Sequence, residues 1–166
     1  SAAFGLSMCV HHCYSFRMQK LILYTDGGAR GNPGSAGVGI VIADESGKVL
    51  KEDYQAIGTA TNNEAEYRAV ILGLETLKKK FGKEKLTSAE IEVRLDSELV
   101  TEQLSGHYQI NEKTLQLLFM TIWNLRVTIF HKIRFTHIPR AQNAHADRLA
   151  NKAMDEVSTP PTKPLF

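Results

Sequence analysis

The first patterned part of the chain is β-prone. From Lys20 to Thr25, Gly37 to Ala43 and Val49 to Ile57 the residues favour strands, with "DESGK" supplying a turn between the last two. This predicts a three-stranded meander. The period then changes: in "TNNEAEYRAVILGLETLKKKFG", Tyr67, Val70, Leu74, Leu77 and Phe81 recur at helical spacing, and Gly82 offers a stop. Ile91, Val93 and Leu95 alternate as a short strand ending at Asp96, and "SELVTEQLSG" reads as a brief helix closed by Gly106. Leu118, Ile122, Leu125 and Ile129 share one face of another helix, and a strand through Ile133 and Phe135 leads to His137. Asn143 opens a final helix packed through Ala146, Ala150 and Ala153. The order βββαβααβα predicts an α/β fold, a five-stranded mixed sheet flanked by helices.

A length of 166 residues suits one domain. The pattern places it at 18–157, after a disordered lead at 1–17 and before a mobile Pro-rich tail at 158–166. Apolar stretches are too short to span a bilayer, so no membrane is expected. A net charge of +2 permits a polyanionic partner without demanding one, and Lys78, Lys79, Lys80, Lys83 and Lys85 read as solvated cations at a helix end. Cys9 and Cys13 stand together in "CVHHC"; that single short stretch is a poor zinc site and suits a reducing cytoplasm. No basic segment precedes an apolar one at the start, so a secretion signal is not expected. The expectation is a cytoplasmic monomer.

Four carboxylates fall at element boundaries: Asp26, Glu66, Asp96 and Asp147. Each has an ordinary explanation. Asp26 can start a turn, Asp96 can cap the following helix, Glu66 has capping-box spacing from Asn63, and Asp147 complements a helix dipole. If the first and fourth strands are neighbours, however, all four converge on one rim. Crowded carboxylates repel unless cations neutralise them, and oxygen ligands suit Mg²⁺ or Mn²⁺.

"YTDGGARGNPG", "TNNEAEYRA", "RLDSELV" and "HIPRAQNAHADRLA" resemble, in order, the four motifs of type 1 ribonuclease H, over nearly all of 20–154. The resemblance assigns Asp26, Glu66, Asp96 and Asp147 to a site for two Mg²⁺ ions, with Mn²⁺ as a substitute. It puts Asp26 between the ions, Glu66 and Asp96 on the water-activating side, Asp147 on the other, and leaves Glu64 facing solvent. His137 matches the family's mobile-loop histidine, suited to proton transfer or product release. Gly27, Gly28, Asn62 and Asn63 match contacts to the RNA strand, and Asn32 and Thr61 match contacts to DNA phosphates. The implied activity is cleavage of the RNA strand of RNA–DNA hybrids, leaving 5′-phosphate and 3′-hydroxyl ends.

Competing readings remain at this level. The glycines of the first motif lead into a strand, and neither GxGxxG before a helix nor GxxxxGK[ST] occurs; Gly27, Gly28 and Gly31 are expected to turn the backbone and let a ligand approach. A domain that only binds nucleic acid would not need the four carboxylates, and a related nuclease would take double-stranded RNA or DNA. Some family members carry a basic protrusion between the middle helices. Here "GHYQINE" at 106–112 replaces it, which predicts weaker substrate binding. The ending "TKPLF" reads as a plain tail, with docking in a replication-clamp groove as the alternative.

Overall fold

The computed structural model describes residues 19–158; the expectations for Cys9, Cys13 and the apolar chain end lie outside them. Three long strands, β1 (Lys20–Gly31), β2 (Gly34–Asp44) and β3 (Val49–Ala60), form the meander. Helix α1 (Asn62–Phe81) follows, then a short α2 (Lys83–Ser88) and strand β4 (Glu90–Leu95). Next come α3 (Glu98–Leu104), α4 (Lys113–Thr128) and β5 (Lys132–His137), and a 3-10 turn at Arg140–Asn143 enters α5 (Ala144–Ser158). The sheet order is β3-β2-β1-β4-β5, antiparallel among the first three strands and parallel for β1, β4 and β5. The expected five-stranded mixed sheet is the one observed.

One face of the sheet carries the main core. Leu21, Leu23, Ile91, Val93 and Leu95 from the strands meet Val70, Leu74 and Leu77 of α1, with Leu104, Leu115, Ile122 and Ile129 behind them. Each such side chain contributes about 1.5–3 kcal/mol on leaving water. On the other face α5 lies across β2, and small residues set the distance. A Cβ on Gly39 would fall 2.4 Å from the Ala146 carbonyl oxygen, and one on Gly37 would fall 2.7 Å from that of Ala150.

Several local expectations change. Strand β1 does not stop at Thr25 but runs to Gly31, since β2 keeps pairing with it through Gly31↔Gly34. Gly27 and Gly28 are thus extended residues rather than turn residues, and only Gly31 of the three has positive φ, at 99°. Gly27 is small for a packing reason: a Cβ there would stand 2.2 Å from the carbonyl carbon and oxygen of Ala65 in α1. The α1 cap is also different. Thr61 and Glu64 form the capping box, so Glu64 is half-buried at the cap and Glu66 has no part in it. Gly82 stops α1 as expected, yet it opens the unforeseen α2 as well.

The glycine contacts make a paired test. Gly27→Ala is expected to destabilise the fold by about 1–3 kcal/mol, because α1 must back away from β1. Gly28→Ala, whose Cβ would meet only Met154 Cε at 3.6 Å, is expected to change stability by less than about 0.5 kcal/mol. Denaturant titration of both variants checks this.

Candidate active site

The sheet splits at the site. β1 pairs with β4 only as far as Tyr24↔Arg94, then continues with β2 alone. Asp26 and Asp96 each lie two residues beyond that last pair, and with a side-chain period of two they point to the same side. Such a divergence at the carboxyl ends of parallel strands is where open α/β sheets form a crevice. Asp96 is free of capping duty because Ser97 Oγ takes the Val100 N–H at the start of α3.

Helix α1 brings in the third carboxylate. Asn62 Oδ1 accepts from Ala29 N–H at 2.9 Å, and Asn62 N–H donates to Asn32 Oδ1 at 3.1 Å, so the helix start is tied to the β1–β2 hairpin. With Ala65 seated on Gly27, Glu66 comes down over Asp26. One carboxylate oxygen from each of Asp26, Glu66 and Asp96 then lies within 4.8 Å of the others. Asp147, in the first turn of α5, lines the same cavity of about 370 Å³ but is not in this tight trio. Its Oδ1 lies 3.4 Å from Arg140 Nη2.

The energetics of this arrangement are unfavourable without a cation. Asp26 and Glu66 are each only 8% exposed, and Glu66 Oε2 has no hydrogen-bond partner. Burial, then the charges of Asp96 and Asp147, push the Asp26 carboxyl up to about 7. Burial, then Asp26 and Asp96, hold Glu66 well above the usual carboxylate range, opposed by a backbone hydrogen bond from Gly27 and by Arg140. Burial also raises Asp96, against a hydrogen bond from Asn143 and the charge of Arg140.

The remaining expected residues divide. Gly27, Gly28 and Asn62 line the cavity; Asn32, Thr61 and Asn63 do not, and the first two serve the α1 start instead. His137 is not on a loop. It ends β5 opposite Leu95, exposed, with Nε2 3.3 Å from the Asp96 carbonyl oxygen. Asn143 does not cap the last helix either: it is buried, and its Nδ2 donates to the Thr25 carbonyl at 2.9 Å, strapping the 3-10 turn to β1 beside the carboxylates. Arg30, Arg140, Asn143 and Asn151 were not singled out in the sequence, yet Arg30, Arg140 and Asn151 line the cavity. All four sit inside or next to the quoted motifs, but no periodicity marks them.

These shifts set the pH response of the metal-free protein. Carboxylates whose folded pKa is raised stabilise the fold fully below their unfolded values and lose that contribution as pH rises through the folded value, here from about 4 to about 7. Glu92, held down to about 2 by Arg134, Lys20 and Arg94 despite its burial, acts oppositely and only at lower pH. In chelator, the melting temperature is therefore expected to fall between pH 5 and 8. Asp26→Asn should flatten that fall and raise the melting temperature at pH 8, as thermal denaturation across pH will show.

Comparison with known proteins agrees with the geometry. A family model described as reverse transcriptase-like matches residues 24–153. A bifunctional protein of Mycobacterium tuberculosis is 46% identical over 141 residues, 84% of this chain but 36% of that protein. The chain thus spans about a third of the length of this relative. Ribonuclease HI of Halobacterium salinarum is 43% identical over 134 residues, 81% of this chain and 64% of the relative. Among solved structures, LC11 ribonuclease H1 in complex with an RNA/DNA hybrid matches with a TM-score of 0.81 at 48% identity, covering 84% of this chain and 99% of that one. Ribonuclease H1 of Halobacterium salinarum matches with a TM-score of 0.75 at 39% identity, covering 82% and 98%. With the sheet order, the acidic cleft and these matches taken together, the chain belongs to the type 1 ribonuclease H family.

Proposed function

We propose that this protein is an endoribonuclease that hydrolyses the RNA strand of RNA–DNA hybrids with two divalent ions, leaving 5′-phosphate and 3′-hydroxyl ends. The observation that carries the reading is the convergence of Asp26, Glu66 and Asp96 at the split in the sheet, with Asp147 on the same cavity. The hybrid bound to a ribonuclease H1 of the same fold supports the substrate class.

The donors fit hard cations: all are carboxylate oxygens, and the buried Glu66 Oε2 has no other partner. Asp26, Glu66, Asp96 and Asp147 would hold Mg²⁺, with Mn²⁺ able to substitute. Bound there, the ions supply an activated water and charge relief at the departing oxygen. The protein's own groups do the rest. Asp26 sits centrally because β1 continues past β4, and the α1 seat at Gly27 sets the height of Glu66. Arg30 and Arg140 place positive charge at the cavity wall, where phosphates of the incoming strand need it. Gly28 and Asn62 leave a shallow polar surface suited to reading 2′-hydroxyls. Asn63 is assigned to the same strand, and Asn32 and Thr61 to the DNA phosphates. His137 acts at the edge of the site, moving a proton as product leaves.

Labelled hybrid, duplex RNA and duplex DNA, each with Mg²⁺, test this. Only the RNA strand of the hybrid should be cut, chelator should stop the reaction, and Asp26→Asn should lower the rate about 100-fold or more while the protein stays folded and binds hybrid. Undiminished turnover by Asp26→Asn would refute the assignment. The link from Leu104 to Lys113 is held close to the fold, with Gln103 Nε2 on the Gln109 carbonyl and Gln116 Nε2 on that of Ile110. It offers no basic arm. Hybrid binding should accordingly show a shallow salt slope, about −2 to −3 on logarithmic axes, measurable by titration at several salt concentrations.

A further inference from the structure

Helix α4 buries only one side. Leu115, Ile122 and Ile129 enter the core next to α1, whereas Leu117, Met120, Trp123 and Val127 are 71%, 49%, 43% and 57% exposed. Their spacing of three, three and four puts them in one stripe along the outer face of the helix. The stripe is ordered by its own contacts: the Trp123 and Phe119 rings stack at 6.3 Å, and the Arg126 guanidinium lies 5.4 Å from the Trp123 ring centre. Isolated apolar residues on a surface are ordinary, but a contiguous stripe of four large ones marks a contact surface.

The charge around the stripe is one-sided. Between Glu112 and Asp147 the sequence has no acidic residue, while Lys113, Arg126, Lys132, Arg134 and Arg140 fall in that interval. Lys113 and Arg126 are on α4 itself, and Lys132 begins β5 just after it. The hybrid is a poor occupant. Because α4 leads into the amino end of β5, the Val127 end of the stripe lies at the pole of the sheet opposite Asp96 and His137. A second copy is poor as well, since an antiparallel pair would face these same cations with one another.

We propose that the α4 stripe is a docking surface for an amphipathic helix of another protein, or of a longer form of this one, with an apolar face and an acidic rim. The apolar face covers Leu117, Met120, Trp123 and Val127, and the acidic rim meets Lys113, Arg126 and Lys132. This surface is independent of the catalytic reading.

Trp123 is the sole tryptophan in the sequence, so its fluorescence reports directly on the stripe. The probe is a synthetic helical peptide with leucines along one face and glutamates on the other, compared with its lysine counterpart and with an RNA–DNA hybrid. The acidic peptide should shift Trp123 emission to the blue, saturably and less tightly at higher salt. Leu117→Glu and Val127→Glu, at exposed positions, should each weaken that binding about tenfold or more while leaving circular dichroism and melting temperature unchanged. No shift, an equal response to the lysine peptide, insensitivity to both substitutions, a shift that follows protein concentration alone, or a change produced only by hybrid would each overturn the proposal.

Discussion

Everything at the site depends on how closely two helices lie against the sheet. An ordinary side chain at position 27 would lift α1 off β1, and one at position 37 or 39 would lift α5 off β2. Either displacement would carry a carboxylate away, Glu66 in the first case and Asp147 in the second. The glycines therefore act through distance, by letting backbone meet backbone where most α/β contacts interpose a layer of side chains. Well-packed interiors transmit such shifts with little absorption.

The close approach has an electrostatic cost that the fold carries in the absence of ions. Asp26 and Glu66 are nearly buried and face one another's charge together with that of Asp96, which is why their carboxyls resist ionising. Packing holds them there: the hydrophobic face of α1, the capping box at Thr61 and Glu64, and the Asn143 strap to Thr25 fix the elements before any ligand arrives. A site with this character gains stability from divalent cations and releases protons on binding them. Destabilisation concentrated at one spot in an otherwise satisfied fold is a usual mark of function.

The molecule is polar at the level of its architecture. Carboxylates gather where β1 and β4 part, and α1 runs from there to the three lysines of its last turn. The same direction takes α4 back to Lys132 at the start of β5. Parallel strands joined by helices produce this separation, because every crossover returns the chain to the opposite end of the sheet. The catalytic pole and the cation-rich pole can thus meet different partners. Among the described residues no helix is long and apolar enough to cross a membrane.

Much of this was legible in the chain alone. Helical spacing from Tyr67 to Phe81, the alternation from Ile91 to Leu95 and the alanine stripe from Ala146 to Ala153 reflect which face must leave water, and that is a local property of the residues. The four acidic motifs, with their order, were equally plain, because chemistry restricts which side chains can serve. What lay beyond the sequence was set by contacts between distant segments. Strand β1 outruns β4 because β2 continues to pair with it; Glu64 rather than Glu66 closes the cap because hydroxyl geometry at Thr61 selects it; His137 is strand because Leu95 lies opposite. Arg140 and Asn143 joined the site only when the 3-10 turn folded against β1, a placement no local pattern encodes. Residue type determined which groups were available, and tertiary packing decided which of them stand within reach of the same charge.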